Sequence, residues 1–421
     1  MKNPFRPISI SLSPNTEKDD VRLAKQLLFQ PGKWIKGEAA FQLEKAFGDY
    51  LGSENAVSFN SGRSALLAIL KSLELNSGDE ILLQAFTCNA AVNPIIWAGL
   101  KPVFVDCEEE TFNLFPEDLQ RKINGRSKAV IIQHTFGQPA ETEKILEICR
   151  QNNLILIEDC AHALGAEISF AGEMKKVGTF GRASFFSFSR DKVISSVYGG
   201  MAVTNDDNLA QKIRKYQRSI GYSSSGWVFQ QLLHPILMNK LILPLYGIGG
   251  KYLLLLFQQF HLLSKAVHWK EKRGRQPGYF PRAMPNALAI LALNQLLKLE
   301  RFNLHRQKIA DFYFRELKDS PFELPFVREG TKPVFLRFIV RTPEAKRIIK
   351  QAWAKNLLIG DWYTSPVAPD DTQLNKVGYV LGSCPVAEKL AQETMNLPTH
   401  INISETDAQK IINFLKSLST P

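Results

Sequence analysis

Short apolar runs rich in β-branched residues alternate with helix-like segments between about Asn55 and Asn205. The runs read AVSFN, EILLQ, PVFVD, AVIIQ, LILIED, ASFFSF and MAVTN. Runs of this length are typical of buried strands, and their alternation with helices is typical of an α/β fold. We therefore predict a mainly parallel, seven-stranded sheet that lies between helices.

The second half of the chain shows a different pattern. Apolar positions recur at helical spacing from Pro285 to Tyr313 and predict one long helix, or two in line. The strand-like PVFLRFIV follows, and ETDAQKIINFLKSL predicts a closing helix. We expect an N-terminal arm and large domain over 1–220, a helical insertion over 221–280, and the long helix with a smaller C-terminal α+β domain over 281–421.

The predicted insertion contains an apolar stretch, 227–263, that has no acidic residue and is followed by the cationic KAVHWKEKRGR. Prolines, glycines and two lysines interrupt it, so that no run reaches the roughly 20 residues of a membrane-spanning helix. One interpretation is a helical hairpin that packs on its own domain or across a dimer interface. The other is a peripheral membrane contact through 227–275, with aromatic residues at the apolar boundary and cations facing anionic head groups.

Charge and cysteine content narrow the classes of partner and compartment. The net charge of +11 and the pI near 9.3 favour anionic partners. No zinc-finger, basic-zipper or RNP-type pattern is present, so we do not expect a nucleic-acid partner. Five scattered cysteines without a CxxC pair indicate reduced thiols. The opening residues lack the apolar run of a signal peptide, which favours a cytoplasmic location, with the inner face of the membrane as a variant of it.

Several predicted strands end in a polar residue, and ligands of open α/β sheets bind at the carboxyl ends of strands. After the first of these strands, the sequence NSGRSAL opens an apolar helix. The free N–H groups of a helix amino terminus attract phosphate, Gly62 allows close approach, and Ser61 adds a donor. The alternative interpretation is an ordinary serine cap without a ligand.

Two further candidate groups follow along the chain. Asp159 ends the strand LILIED, with His162 three residues beyond it. A carboxylate there could keep the ring nitrogen of pyridoxal phosphate protonated, whereas the alternative is a capping acid and a core histidine. No third ligand occurs at a recognisable spacing, so no metal site is expected. Lys192, in SFSRDK, is either a solvated loop charge or, if desolvated, a nucleophile for the same cofactor, with Ser187 as a further phosphate contact.

The order of these motifs resembles the DegT/DnrJ/StrS sugar aminotransferases, which are pyridoxal 5'-phosphate (PLP) enzymes of fold type I. The resemblance extends over NSGRSAL, IIQHTFGQPA, IEDCAHALGA and SFFSFSRDK and on into PRAMPNALAILALNQ. It implies that Lys192 holds the cofactor covalently and moves protons, that Asp159 partners the ring nitrogen and that His162 lies near the phenolic oxygen. It also implies phosphate contacts from Gly62, Arg63 and Ser187, and a homodimer.

By the same resemblance, the amino group comes from an amino-acid donor, usually glutamate, and is transferred to a keto group of a nucleotide-activated sugar. A related branch carries histidine in place of the lysine and catalyses dehydration, so Lys192 favours transamination. Arg282 is predicted either to contact an anionic group of the substrate or to form a surface salt bridge. Other open alternatives are a PLP-dependent dehydratase or lyase, a non-sugar aminotransferase, and a non-catalytic PLP-binding or membrane-associated protein.

Two positions depart from the family pattern. Cys88 stands where an aromatic residue usually stacks on the cofactor, so the stacking ring is expected to come from elsewhere, with Phe86 as one candidate. Arg63 stands where a small hydroxyl residue is usual and adds positive charge beside the phosphate. Both residues stay in the predicted cofactor site.

Overall fold

The computed structural model describes residues 5–418 of the 421-residue chain. The strands in this range are β1 Ile8–Ser9, β2 Asn55–Phe59, β3 Glu80–Gln84, β4 Thr87–Cys88, β5 Lys101–Val105, β6 Ser127–Gln133, β7 Ile155–Asp159, β8 Glu167–Phe170, β9 Glu173–Lys176, β10 Ala183–Ser187, β11 Gly200–Thr204, β12 Thr331–Lys332, β13 Arg337–Arg341, β14 Leu357–Leu358, β15 Val367–Ala368 and β16 Thr394–Pro398.

The helices are α1 Lys18–Leu28, α2 Ala39–Leu51, α3 Gly62–Ser72, α4 Asn89–Trp97, α5 Pro116–Lys122, α6 Thr142–Gln151, α7 Asp207–Ile220, α8 Ser225–Leu237, α9 Gly250–Gln259, α10 Asn286–Leu296, α11 Leu299–Leu317, α12 Ala345–Ala354, α13 Pro385–Glu393 and α14 Glu405–Leu418. A π-helical turn spans Met238–Ile242, and short 3-10 turns span Pro31–Lys33, Thr135–Gly137, Tyr246–Ile248, Glu271–Arg273 and Leu374–Lys376.

All seven predicted strands belong to one sheet, in the order β2-β11-β10-β7-β6-β3-β5. The pairs β3–β5, β3–β6, β6–β7 and β7–β10 are parallel, whereas β11 is antiparallel to both of its neighbours. Adjacent residues of β10 show how the sheet separates two cores. Phe185 joins the core beneath α3 and α7, and Phe186 joins the one beneath α2 and α10, because side chains alternate across a strand. The predicted α/β class and its mainly parallel sheet are confirmed.

The C-terminal part forms a smaller α+β layer. The predicted long helix is two helices, α10 and α11, that meet near Lys298. Strand β13 pairs antiparallel with β16, and residues of α11, α12 and α14 pack around Phe338 of β13. The closing helix α14 has the predicted bounds. The division at residues 220 and 280 stays a prediction.

The predicted insertion consists of α8, the π-helical turn, α9 and a loop that leads to α10. Helix α8 packs against α1 and α10, and its Val228 and Leu232 join the large-domain core. The π-helical turn and α9 form a small core of their own around Met238, Ile242 and Leu263. Among residues 5–418, no helix is both long and apolar enough to cross a membrane.

Candidate active site

A pocket lies at the carboxyl edge of the central sheet, where the polar strand ends predicted it. Its wall includes the last residues of β6, β7 and β10, which are Gln133, Asp159 and Ser187. The loop after β10 adds Lys192, and the start of α3 adds Gly62. Parallel strands end at the same edge, so groups that are far apart in the sequence meet here.

The amino terminus of α3 forms one end of the pocket. Ser61 caps the helix, because its Oγ accepts the Ser64 N–H at 3.1 Å, and Ser61 does not line the pocket. The N–H groups of Gly62 and Arg63 donate to no atom of the described residues. A Cβ at Gly62 would lie 3.0 Å from the Ser187 Cβ, so glycine permits this close approach. Two free N–H groups beside a serine suit an anion.

The Arg63 side chain lines the pocket but is already paired. Its Nε lies 2.5 Å from Oε1 of Glu271, and one terminal nitrogen donates to the Ala266 carbonyl at 3.2 Å. Arg63 is 8% exposed and Glu271 is fully buried. Both partners come from 264–274, a loop of the predicted insertion that reaches back to the pocket and that we call the strap. Neither sequence pattern nor family resemblance indicated this contact.

Asp159 is a buried carboxyl group that faces the pocket. Its Oδ1 accepts the Ala161 N–H at 2.9 Å. Burial raises its pKa to about 6, and the Ala161 N–H and the charges of Lys192 and His134 oppose that rise. A carboxyl group with this pKa is mostly ionised at neutral pH and would gain from a cationic partner.

His162 lies in the same wall and is neutral. Its Nδ1 accepts the Phe136 N–H at 3.2 Å, so Nε2 carries the proton, and Nε2 lies 3.4 Å from the Tyr363 hydroxyl. Burial lowers the pKa of His162 well below its usual value, and the positive charges of Lys192 and Arg337 lower it further. The ring therefore presents a hydrogen-bond donor without a positive charge.

Lys192 is the candidate nucleophile of the pocket. Burial lowers the pKa of its amine to about 8, although Cys88 and Asp159 act in the opposite direction. Its Nζ lies 5.0 Å from the centre of the Trp362 ring. An amine with this pKa is uncharged for about a tenth of the time at neutral pH, whereas an exposed lysine is almost fully protonated.

Two side chains that are distant in the sequence fix the loop that carries Lys192. Asn15, in the N-terminal arm, donates from Nδ2 to the carbonyls of Lys192 at 2.5 Å and Val193 at 2.9 Å. Arg306 of α11 donates to the Val193 carbonyl and to Asn15 Oδ1, at 2.9 and 2.8 Å. These hydrogen bonds hold the backbone at Lys192, while the Lys192 side chain lines the pocket.

Cys88 lines the pocket, and its Sγ accepts the Ala90 N–H at 3.5 Å at the start of α4. Burial raises the pKa of its thiol, which Arg63 partly offsets. Phe86 does not line the pocket, because it is fully buried beside Phe112 and Phe136. The aromatic wall is formed instead by His162, Trp362 and Tyr363, whose rings stack at interplanar angles of 9 to 24°.

Arg282 lies away from these groups. Its guanidinium donates to the carbonyls of Ile220, Pro281 and Gly278 at 2.9 to 3.3 Å, and it does not line the pocket. It forms no salt bridge within residues 5–418, and its predicted contact with an anionic group of the substrate stays a prediction. Ser189, which the sequence offers as a second phosphate contact beside Ser187, also lines the pocket. Pocket residues that the sequence did not indicate include Thr87, Ala161, Asp191, Ala266, Val267, Asp361, Thr364 and Asp370.

A buried group that could in principle hold a metal ion lies behind the pocket. The ligand atoms of His134, Glu158 and Cys160 lie within 4.8 Å of one another. The Glu158 oxygens, however, already accept N–H bonds from Gly178, Phe180 and Gly181, each at 2.7 Å. We interpret the group as a structural network that anchors the turn after β9.

Comparison with known proteins identifies the chain. The model of the DegT/DnrJ/EryC1/StrS aminotransferase family matches residues 14–244 and 251–416. The chain belongs to this aminotransferase family. The six unmatched residues inside the match, 245–250, follow the π-helical turn and end at the first residue of α9. The predicted family and enzyme class are confirmed.

Similar proteins span nearly the whole chain. The GDP-perosamine synthase of Caulobacter vibrioides is 28% identical over 90% of this chain and 90% of its own length. The dTDP-3-amino-3,4,6-trideoxy-alpha-D-glucose transaminase of Micromonospora megalomicea subsp. nigra is 26% identical over 98% of each. The structure of Helicobacter pylori PseC, an aminotransferase of pseudoaminic acid biosynthesis, superposes with a TM-score of 0.76 at 23% identity, covering 98% of this chain and 99% of that one. These matches confirm the fold type I architecture of the aminotransferase.

Proposed function

We propose that this aminotransferase binds PLP in the pocket and transfers an amino group, with glutamate as donor, to a keto group of a nucleotide-activated sugar. The observation that carries the proposal is that Lys192, Asp159 and the free N–H groups of α3 line one pocket. Two relatives with 26 to 28% identity are named for GDP- and dTDP-linked amino sugars, which supports the acceptor class.

The residues present fit the cofactor group by group. The N–H groups of Gly62 and Arg63, with the Ser187 hydroxyl, would hold the phosphate at the dipole end of α3. The Asp159 carboxylate would pair with the protonated ring nitrogen, and His162 Nε2–H would donate to the phenolic oxygen. Bound PLP supplies an aldehyde that takes up the amino group and a ring that stabilises negative charge on the reacting carbon.

Lys192 serves two purposes in this proposal. Its amine is neutral often enough to attach the cofactor, because burial has lowered its pKa to about 8. Once released, Nζ takes a proton from the α-carbon of the amino donor and returns one when the sugar keto group is aminated. The Trp362 ring beside Nζ limits the access of water to this amine.

The Arg282 contact with substrate, the homodimer and the cytoplasmic location remain parts of the proposal. Within residues 5–418, Arg282 bonds only to backbone carbonyls through its guanidinium. Sedimentation equilibrium of the purified protein measures whether a dimer forms.

The test is the visible absorbance band of lysine-bound PLP. We expect purified protein treated with PLP to show this band, Lys192→Ala to lose it, and the exposed control Lys346→Ala to keep it. Glutamate should then remove the band of the wild type and release 2-oxoglutarate, and a nucleotide keto-sugar should restore it. A wild type without the band contradicts the proposal, and a band unresponsive to any amino donor contradicts transamination.

A further inference from the structure

Helix α9 is apolar on the side that faces away from the protein. Tyr252, Leu255 and Leu256 are 64%, 61% and 44% exposed, and their spacing of three and four places them on one helix face. Ile248, before the helix, and Phe260, after it, extend this face and are 62% and 66% exposed. We call these five residues the α9 face.

Packing within the chain does not explain why the α9 face is apolar. The opposite side of the helix, with Leu253, Leu254 and Phe257, already packs on the small core of the insertion. A helix that is apolar on both sides is normally buried on both. Large exposed apolar patches on folded proteins mark sites of contact with another molecule or a membrane.

The charges in the part of the chain that contains α9 have one sign. No acidic residue occurs from Trp227 to Lys270, and Glu271, the next carboxylate, points inward to Arg63. Between residues 240 and 275, six cations form no salt bridge with any residue from 5 to 418, namely Lys240, Lys251, Lys265, Lys270, Arg273 and Arg275. Lys270 and Arg273 lie 5.8 and 5.5 Å from the ring centre of Trp269, which is itself 52% exposed.

We infer that the α9 face docks in plane onto the surface of an anionic lipid bilayer. Apolar and aromatic side chains would enter the head-group boundary while the cations contact lipid phosphates, an arrangement typical of interfacial helices. Helix α9 has 10 residues and is far too short to cross a bilayer. A second copy of the chain fits less well, because a two-fold interface would bring together two copies of a segment that is rich in cations and has no acidic residue.

Docking would also place the cofactor pocket close to the lipid. The strap follows α9 in the sequence and is bonded to residues on either side of Lys192. Arg190 donates to the Ser264 carbonyl at 2.8 Å, and Tyr198 donates to the Lys265 carbonyl at 2.7 Å. The next two residues, Ala266 and Val267, line the pocket. The strap thus begins four residues after Phe260, the last residue of the α9 face, and lines the candidate active site.

The test is co-sedimentation of the full-length protein with vesicles. We expect binding to phosphatidylcholine vesicles that contain phosphatidylglycerol, weaker binding to phosphatidylcholine alone, and loss of binding at high salt. Replacing both Lys251 and Lys265 by glutamine should weaken binding about 25-fold, at about fivefold for each cation. The double variant Leu255→Ser, Leu256→Ser should abolish it.

A matched control separates docking from a general change in surface polarity. Leu297, at the end of α10, is 87% exposed, and Leu304, on α11, is 64% exposed. The double variant Leu297→Ser, Leu304→Ser should therefore bind vesicles like the wild type. Sedimentation equilibrium is run on every variant. A wild type that does not sediment with anionic vesicles overturns the inference. So does a change of oligomeric mass in the Leu255, Leu256 variant, which would assign the face to a second copy.

Discussion

Replacing Asp159 by asparagine should stabilise the cofactor-free protein while impairing its function. The carboxyl group is 5% exposed, and burial is the main reason that its pKa rises from 3.8 to about 6. At about 1.4 kcal/mol per pH unit, keeping this group ionised at neutral pH costs about 3 kcal/mol of folding free energy. Asparagine has nearly the same shape, carries no charge and can still accept the Ala161 N–H.

The sign of the pH dependence follows from the raised pKa. The native state holds a proton on Asp159 between about pH 4 and 6 that the unfolded chain has lost, so stability falls as pH rises through this window. The advantage of the asparagine variant should therefore be about 3 kcal/mol near pH 7.5 and about 1 kcal/mol near pH 4.5. PLP should reduce it, because a cationic ring nitrogen compensates the wild-type carboxylate.

Urea unfolding of the cofactor-free protein, at one protein concentration, measures both values. Asp49→Asn is the matched control, because Asp49 is exposed on α2 and its substitution should change the unfolding free energy little at either pH. An Asp159→Asn variant that is less stable than the wild type near pH 7.5 would refute the reasoning. An equal gain at both pH values would refute it as well, because only the charge can make the difference depend on pH.

Three more predictions concern the surroundings of the cofactor. The rate at which PLP attaches to the apoprotein, followed by absorbance, should rise about tenfold per pH unit up to about pH 8 and then level off. The reason is that neutral Lys192 is the reactive form. A rate that does not change with pH contradicts this prediction. Glu271→Gln should lower the unfolding free energy by about 3 kcal/mol by leaving Arg63 buried without a counter-charge, and an unchanged urea midpoint would show that the pair contributes nothing. Asn15→Ala should lower kcat more than it raises KM for the amino donor, because it loosens the backbone of the lysine loop; an effect on KM alone would assign Asn15 to substrate binding.

The sequence predicted the parts of the site that depend on local pattern and on the rule that ligands bind at the carboxyl ends of the strands. Each of the seven apolar runs identified a strand, because a buried parallel strand needs a continuous apolar segment. Asp159 at the end of β7 and Gly62 at the start of α3 then meet Lys192 without any long-range information beyond the topology.

The parts that it missed or left open depend on contacts between distant segments. The sequence left open whether Trp362 and Tyr363 line the substrate side or pack in the small domain. They line the pocket because β15, which follows them, pairs with β4 beside Cys88, more than 270 residues away along the chain. No local pattern fixes that pairing. Phe86 failed as a stacking candidate for a similar reason, since it packs with Phe112, Phe136 and Tyr363 in the core instead of facing the pocket.

The pairing of Arg63 with Glu271 changes the interpretation of the extra arginine beside the phosphate cradle. An unpaired guanidinium there would strengthen phosphate binding by direct charge attraction, but Glu271 Oε1 already lies 2.5 Å from its Nε and both side chains are buried. In the proposed cofactor site, the phosphate would then be held by the N–H groups of Gly62 and Arg63 and by Ser187, all of which are neutral. Arg63 instead ties the strap to α3, through Glu271 and the Ala266 carbonyl. The arginine at this position therefore anchors the strap to the start of α3.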